Sequence, residues 1–468
     1  MKVKSSTVFD ILSQLRVNYQ RLTTPKNQNN EAPFRSELYS SDQLYKHGVI
    51  LANAHQLQKY AKKDQLIKRL DDNEKALLEV RNLLVESIRT NKIITPAAEW
   101  LLDNFYLIEE QIVTARKHLP KKYSENLPYL SEGQSAGMPR VYDIVLEIIS
   151  HSDGRVDLKN LENFITAYQT NSILSLGELW ALPIMLRIAV IENLRRISGN
   201  IALDIVDQNL ADYWAGKMLK TVTEKPGDLI LTIAEMAKAK PILSGPFVAS
   251  FTRILKGKGP ALALPLSWME QQLSALGVNS NELVWQENQK QAADQMSVSN
   301  SIGTLRFLGN TDWRKFVETM SSVEQILRQD KTGVYPLMDF STRDKYRHVI
   351  ETIAKASKFS ETEVAQKVID LANKRNEDAS QYNRQHHVGY YLIDKGLGQA
   401  EEAAQMRYTL KQKLFRFTQK MPVFLYIFII LLLTVLMASG MSYLAYQDGN
   451  LDKTLLIFVE ILVFIGAM

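Results

Sequence analysis

The sequence contains no cysteine, which removes disulfide frameworks, thiolate nucleophiles and cysteine-based zinc sites from consideration. Glycine and proline are sparse, and alternating β-branched runs are hard to find, so a β-rich architecture has little to build on. There is no glycine-rich phosphate loop, no G-x-S-x-G elbow and no H-E-x-x-H pair. No apolar stretch follows Lys2 and Lys4, because Ser5, Ser6, Thr7 and Asp10 intervene, which argues against a signal peptide. A net charge of +5 over 468 residues is too small to point to nucleic acid.

What remains is a chain dominated by helix formers, and the expected fold is all-α. Leu70, Leu77, Val80, Leu84 and Ile88 recur on one helical stripe. Thr95-Pro96 opens a further helix with Thr as N-cap and Pro in the first turn, and Leu101, Phe105, Ile108 and Ile112 share its face. Asp153-Gly154 marks a turn, and Asp157 caps the helix carrying Leu161, Phe164, Ile165 and Tyr168. Ser175 and Glu178 have capping-box spacing before an apolar helix expected to run to about Ile197, with a kink at Pro183. Further helices fit 203–222, 226–239, 247–256, 265–276, 281–307, 311–329, 341–357 and 361–375, the last behind a second capping box at Ser360 and Glu363.

The C-terminal part differs. From Met421 to Leu444 no charge occurs, and a bilayer core takes about 20 such residues, so a transmembrane helix is expected over 421–446. Arg407, Lys411, Lys413, Arg416 and Lys420 precede it, which places its N-terminal flank in the cytoplasm. The same stretch, 401–420, is expected as a basic juxtamembrane helix in contact with membrane lipids. A second apolar run, 454–468, includes Glu460 and is too short to span, so it reads as the start of a second transmembrane helix cut by the end of the chain. The remaining division is an N-terminal helix and polar linker (1–41) and two helical domains, 42–200 and 201–400.

Side chains able to carry chemistry are few. Asp103 and Glu110 lie seven apart, the spacing of one helical face, and paired carboxylates suit glycosidic acid–base work; a solvated face is the plainer reading. Asp71-Asp72 is the nearest approach to a nucleotide-sugar metal motif, but no strand precedes it. For His151, Asp153 and Asp157, a turn and an N-cap account for both aspartates without a metal. His386 and His387 are adjacent, a poor geometry for one ion on a helix. No metal site and no catalytic residue is assigned.

Arg187, set among Leu186, Ile188 and Ala189, needs a partner, with Glu178 across the kink or an acid from a neighbouring helix expected. Arg343, Arg347 and Glu351 form an i,i+4 ladder that a diphosphate would also satisfy. Arg187, Glu178, Arg343 and Arg347 are thus the binding candidates.

Several blocks, taken in order, resemble the N-terminal region of cyclic β-1,2-glucan synthases. They are Ala98 to Ile112 (AEWLLDNFYLIEEQI), Gly137 to Tyr142 (GMPRVY), His151 to Asp153, and Leu176 to Arg187 (LGELWALPIMLR) continuing into Ile191 to Arg196 (IENLRR). Met338 to His348 (MDFSTRDKYRH) and His387 to Asp394 (HVGYYLID) complete the set. The resemblance implies a large bacterial inner-membrane enzyme that also contains downstream glycosyltransferase and phosphorylase-like glycoside hydrolase domains. It implies UDP-glucose as donor, a divalent metal (Mg or Mn) in the full-length enzyme, and β-1,2-glucan as product. The chain departs from that pattern by ending before the catalytic aspartates and carboxylates. Neither they nor Q-x-x-R-W, an acceptor-site signature of processive glycosyltransferases, can be placed on it. The chain alone is expected to be inactive. A non-catalytic, membrane-anchored helical interaction module fits the bare residues equally well.

Overall fold

In a computed structural model of the protein, residues 13–17, 33–58, 65–119, 127–373, 384–408, 422–447 and 458 are described. The architecture is helical, as the composition requires, with one two-residue antiparallel pair, β1 (Leu57–Gln58) and β2 (Tyr129–Leu130). The chain divides between Glu324 and Gln325 into two compact units.

In the first unit, α1 (Ser41–Ala54), α2 (Leu66–Arg89), α3 (Pro96–Asp103), α4 (Phe105–His118), α5 (Arg140–Ser150) and α6 (Leu158–Gln169) precede a central helix, α7 (Leu176–Glu224). After it come α8 (Leu229–Ala239), α9 (Gly245–Leu255), α10 (Ala263–Ala275), α11 (Ser280–Asn310) and α12 (Trp313–Met320). Helix α7 packs against α2, α5, α9 and α11. Its segment from Leu176 to Ile205 lies in one apolar core, and from Val206 to Met218 it enters a second core with Phe247, Phe251 and Met269.

The expected break between 197 and 203 does not occur, and α7 runs unbroken for 49 residues. Ser198 and Gly199 are poor helix formers, but both are buried, and the Ser198 hydroxyl donates to the Leu194 carbonyl (2.6 Å). Packing on all sides overrides local propensity here. The converse holds at Asn104, where one helix was expected and two are found. The Asn104 side-chain amide donates to the Trp100 carbonyl (2.8 Å), offering the backbone a competing bond where α3 ends. Ser321 also breaks the helix expected over 311–329, with extended backbone and its hydroxyl accepting from the Glu324 amide (3.3 Å) as a cap for the turn that follows.

The caps read from the sequence are formed. Thr95, Asp157 and Ser175 accept from backbone amides at the starts of α3, α6 and α7, and Glu178 returns the bond to Ser175. Leu70, Leu77, Val80 and Leu84 are buried, whereas Ile88, one residue before α2 ends, is half exposed.

In the second unit, α13 (Phe340–Lys355), α14 (Glu361–Asn373), α15 (Val388–Ile393) and α16 (Leu397–Ala403) pack together around Tyr346, Ile350, Val368 and Tyr391. The second capping box is present, with the Ser360 amide 2.7 Å from Glu363 Oε2.

The transmembrane expectation is corrected. The apolar run forms a helix, Pro422–Gln447, but among the described residues no helix is long and apolar enough to cross a membrane. The second run, 454–468, lies outside the described residues apart from Phe458, as do 409–420 of the basic stretch and most of 1–41.

Candidate functional site

Buried charge in the first unit is gathered into networks, three of which involve α7, and in the second unit a buried carboxylate pairs with a histidine. The first network forms where α5 meets the start of α7. Arg140 grips Glu178 with both prongs, Nε to Oε1 at 2.5 Å and Nη2 to Oε2 at 2.7 Å. Its other donors reach the Ser172 hydroxyl (2.7 Å) and the Ile173 carbonyl (2.8 Å). Glu178 also accepts from the Ser175 amide (2.9 Å), so a capping residue is simultaneously the counter-ion of a buried arginine.

Five residues beyond Arg187 on α7, Glu192 is fully buried and accepts from Arg69, from Arg196 (2.7 Å) and from the Tyr142 hydroxyl (2.7 Å). Burial alone would raise its pKa, but the hydrogen bonds and charge of Arg69, with Arg196 beside it, hold the carboxyl down at about 2. The third network joins α11 to the segment before α1 and to α7. Arg35 reaches Asp294 (2.8 Å), and Lys290 reaches Asp204 (2.6 Å). The first two networks pair each buried acid with arginine, the arrangement of a scaffold. In the third, burial and the neighbouring Glu287 and Asp294 push Asp204 up to about 7 despite Lys290.

Arg187 differs from its expected role. Glu178 is engaged by Arg140 and lies nine residues, about 14 Å, away along α7. Arg187 instead donates to three neutral acceptors, Gln111 Oε1 (2.9 Å), the Pro183 carbonyl (3.1 Å) and the Leu308 carbonyl (2.9 Å). Burial lowers its pKa. It pins α4, α7 and α11 together.

Arg343 and Arg347 lie on α13 in the second unit. Arg343 donates to the Pro336 and Met338 carbonyls (3.2 and 2.7 Å), closing the turn before its helix. Arg347 pairs with Asp344 (3.0 Å) over the Phe340 ring, while Glu351 pairs with Lys355 (2.6 Å). The Arg347–Glu351 rung of the expected ladder is thus replaced by i,i+3 and i,i+4 pairs on either side of it.

The remaining expectations fall on exposed positions. Asp103 ends α3 and Glu110 belongs to α4, so the break at Asn104 removes the shared helical face. Asp71 is held by Arg116 (2.8 Å), which also takes Glu74.

Two features went unread in the sequence. A polar cleft of about 220 Å³ opens between the end of α2, the middle of α7 and α9, lined by Lys92, Gln208, Asn209, Asp212, Ser250 and Arg253 among others. Lys92 donates to Asn209, and Asp212 accepts from Ser250 (2.9 Å). Amides, a carboxylate and two cations around one hollow can hydrogen-bond a polyhydroxylated ligand. In the second unit, His387 Nδ1 lies 2.6 Å from the buried Asp330 carboxylate, which also accepts from Thr332 (2.6 Å). Burial would raise the Asp330 pKa, but the bonds from His387 and Thr332 lower it. The pair aims the imidazole as a general base would be aimed, yet Nε2 is buried with no hydrogen-bond partner among the described residues. The pair fixes the loop before α15 against Asp330.

No family model matches the chain. It is 28% identical over 355 residues to the cyclic beta-(1,2)-glucan synthase NdvB of Rhizobium meliloti (strain 1021). The chain is related to that synthase. The match takes in 75% of this chain and 12% of the synthase, so the resemblance read from the ordered blocks holds for a part of that protein's length.

Proposed function

We propose that this chain is a helical, non-catalytic part of a cyclic β-1,2-glucan synthase, which holds or positions machinery that transfers glucose from UDP-glucose to β-1,2-glucan. The observation that carries the reading is the similarity to NdvB across three quarters of the chain. The geometry is consistent with a supporting role, because the acids and arginines singled out are committed to one another or to backbone carbonyls. Glycosyl transfer needs a held diphosphate and a base on the acceptor hydroxyl, and a divalent metal (Mg or Mn) would belong with those groups, outside this chain. Within the chain, the cleft at Lys92 and Asp212 offers the hydrogen-bonding groups a glucan would take.

The proposed location is the cytoplasmic face of a bacterial inner membrane. Support for it comes from the basic residues between Arg407 and Lys420, each worth about 1 kcal/mol of attraction to anionic lipid. The purified chain, given UDP-glucose with magnesium or manganese, is expected to show no turnover. Turnover lost on mutating Asp71 and Asp72 would overturn the non-catalytic assignment.

A further inference from the structure

We propose that His47, Glu147 and His151 form a binding site for one divalent transition ion of the zinc type. The site is independent of the glucan reading and uses residues from two helices. Glu147 and the residue that ends α5, His151, are four apart and so share a helical face, and His47 projects from α1. Their ligand atoms all lie within 4.8 Å of one another. His47 Nε2 is 2.8 Å and His151 Nε2 is 3.5 Å from the same oxygen, Glu147 Oε2.

The orientation of His151 is the telling feature. Its Nδ1 lies 2.7 Å from the Glu37 backbone carbonyl. A carbonyl oxygen can only accept, so Nδ1 carries a hydrogen, and Nε2 is the ring nitrogen turned towards the Glu147 carboxylate at 3.5 Å. A ring nitrogen donating to a backbone carbonyl is the outer bond that metal-ligating histidines almost always make. A cation between Nε2 and Oε2 would be bound by both.

The surroundings hold the ligands in place before any ion arrives. The Tyr39 ring stacks on His151 at 3.9 Å between centroids and 6° between planes. The segment carrying Glu37 is tied to the end of α5 by two backbone bonds, Ser36 to Ser150 and Tyr39 to His151, both 3.0 Å. On α1, Gly48 brings the helix so close to α6 that an added Cβ would stand 3.0 Å from the Phe164 carbonyl. This close approach seats the neighbouring His47 against α6. Tetrahedral ligands about 2.0–2.1 Å from zinc stand roughly 3.3 Å apart, a value that the 2.8 and 3.5 Å spacings to Glu147 bracket.

Two imidazoles and one carboxylate favour zinc, nickel or copper over magnesium or calcium. The three side chains are 11 to 32% exposed, which leaves a fourth position open to water and makes the ion exchangeable.

The test is titration of the whole chain with zinc by calorimetry, and with cobalt by visible absorption. One ion per chain is expected, with the strong visible bands of four-coordinate cobalt, and a large excess of magnesium should not displace it. His47→Ala and His151→Ala should each weaken binding by about 100-fold or more, and Tyr39→Leu, which frees the His151 ring, by about tenfold. His348→Ala, at an exposed position on α13, should change nothing. The cobalt spectrum is read on the unaltered chain, so the proposal stays testable if a variant fails to fold. No retained ion, six-coordinate cobalt alone, or zinc affinity undiminished in both histidine variants would overturn it.

Discussion

Arg140 and Glu178 meet as a closed fork, with both donor–acceptor distances at or below 2.7 Å and neither residue more than 3% exposed. Because Glu178 also caps α7, the contact ties the entry of the central helix to α5. Removing one member strands the other in the interior, at a cost of about 3–5 kcal/mol. Arg140→Ala should therefore lower the urea midpoint of the whole chain sharply. The paired change Arg140→Met with Glu178→Gln keeps the cap and should recover most of the loss. A midpoint unmoved by Arg140→Ala would show that the fork contributes nothing to stability.

Glu192 gives the fold a defined acid sensitivity. Its native pKa of about 2 lies below the ordinary 4.5, so the unfolded chain binds more protons between those values. Its contribution, on the order of 3 kcal/mol, is complete above about pH 4.5 and is lost as the pH falls towards 2. The difference in unfolding free energy between the natural chain and Glu192→Gln should narrow steadily over that range. A difference that stays constant from pH 5 to pH 2 would contradict the assigned pairing with Arg69 and Arg196.

Arg187 is expected to matter less than Arg140, because its acceptors are neutral. Arg187→Ala leaves Gln111 and two carbonyls short of donors, a loss of about 1–3 kcal/mol by equilibrium unfolding. Arg187→Met keeps the packing of the stem and should cost less. A loss above about 5 kcal/mol in either variant would indicate a carboxylate partner that the geometry does not contain.

Much of the helical framework was legible because it is written in local spacing. The stripe from Leu70 to Leu84 and the caps at Thr95, Asp157, Ser175 and Ser360 depend on neighbours within a turn or two. What escaped the sequence depends on distance along the chain. Glu178 finds Arg140 38 residues away, and Arg187 finds Leu308 121 residues away, so neither partner can be chosen from a helical wheel. Continuity of α7 through Ser198 and Gly199 comes from burial on all sides, which local propensity does not contain. The grouping of His47 with Glu147 and His151 has one sequence trace, the i,i+4 spacing of the last two, and needs the packing of α1 to complete it.

The central claim is that the chain serves β-1,2-glucan synthesis without performing the chemistry itself. Its most direct test is the β-1,2-linked glucan content of the source organism, measured by linkage analysis, after in-frame removal of the segment encoding residues 42–396. The account predicts loss of that glucan and its return when the segment is restored. Unchanged β-1,2-glucan in the deleted cells would contradict it.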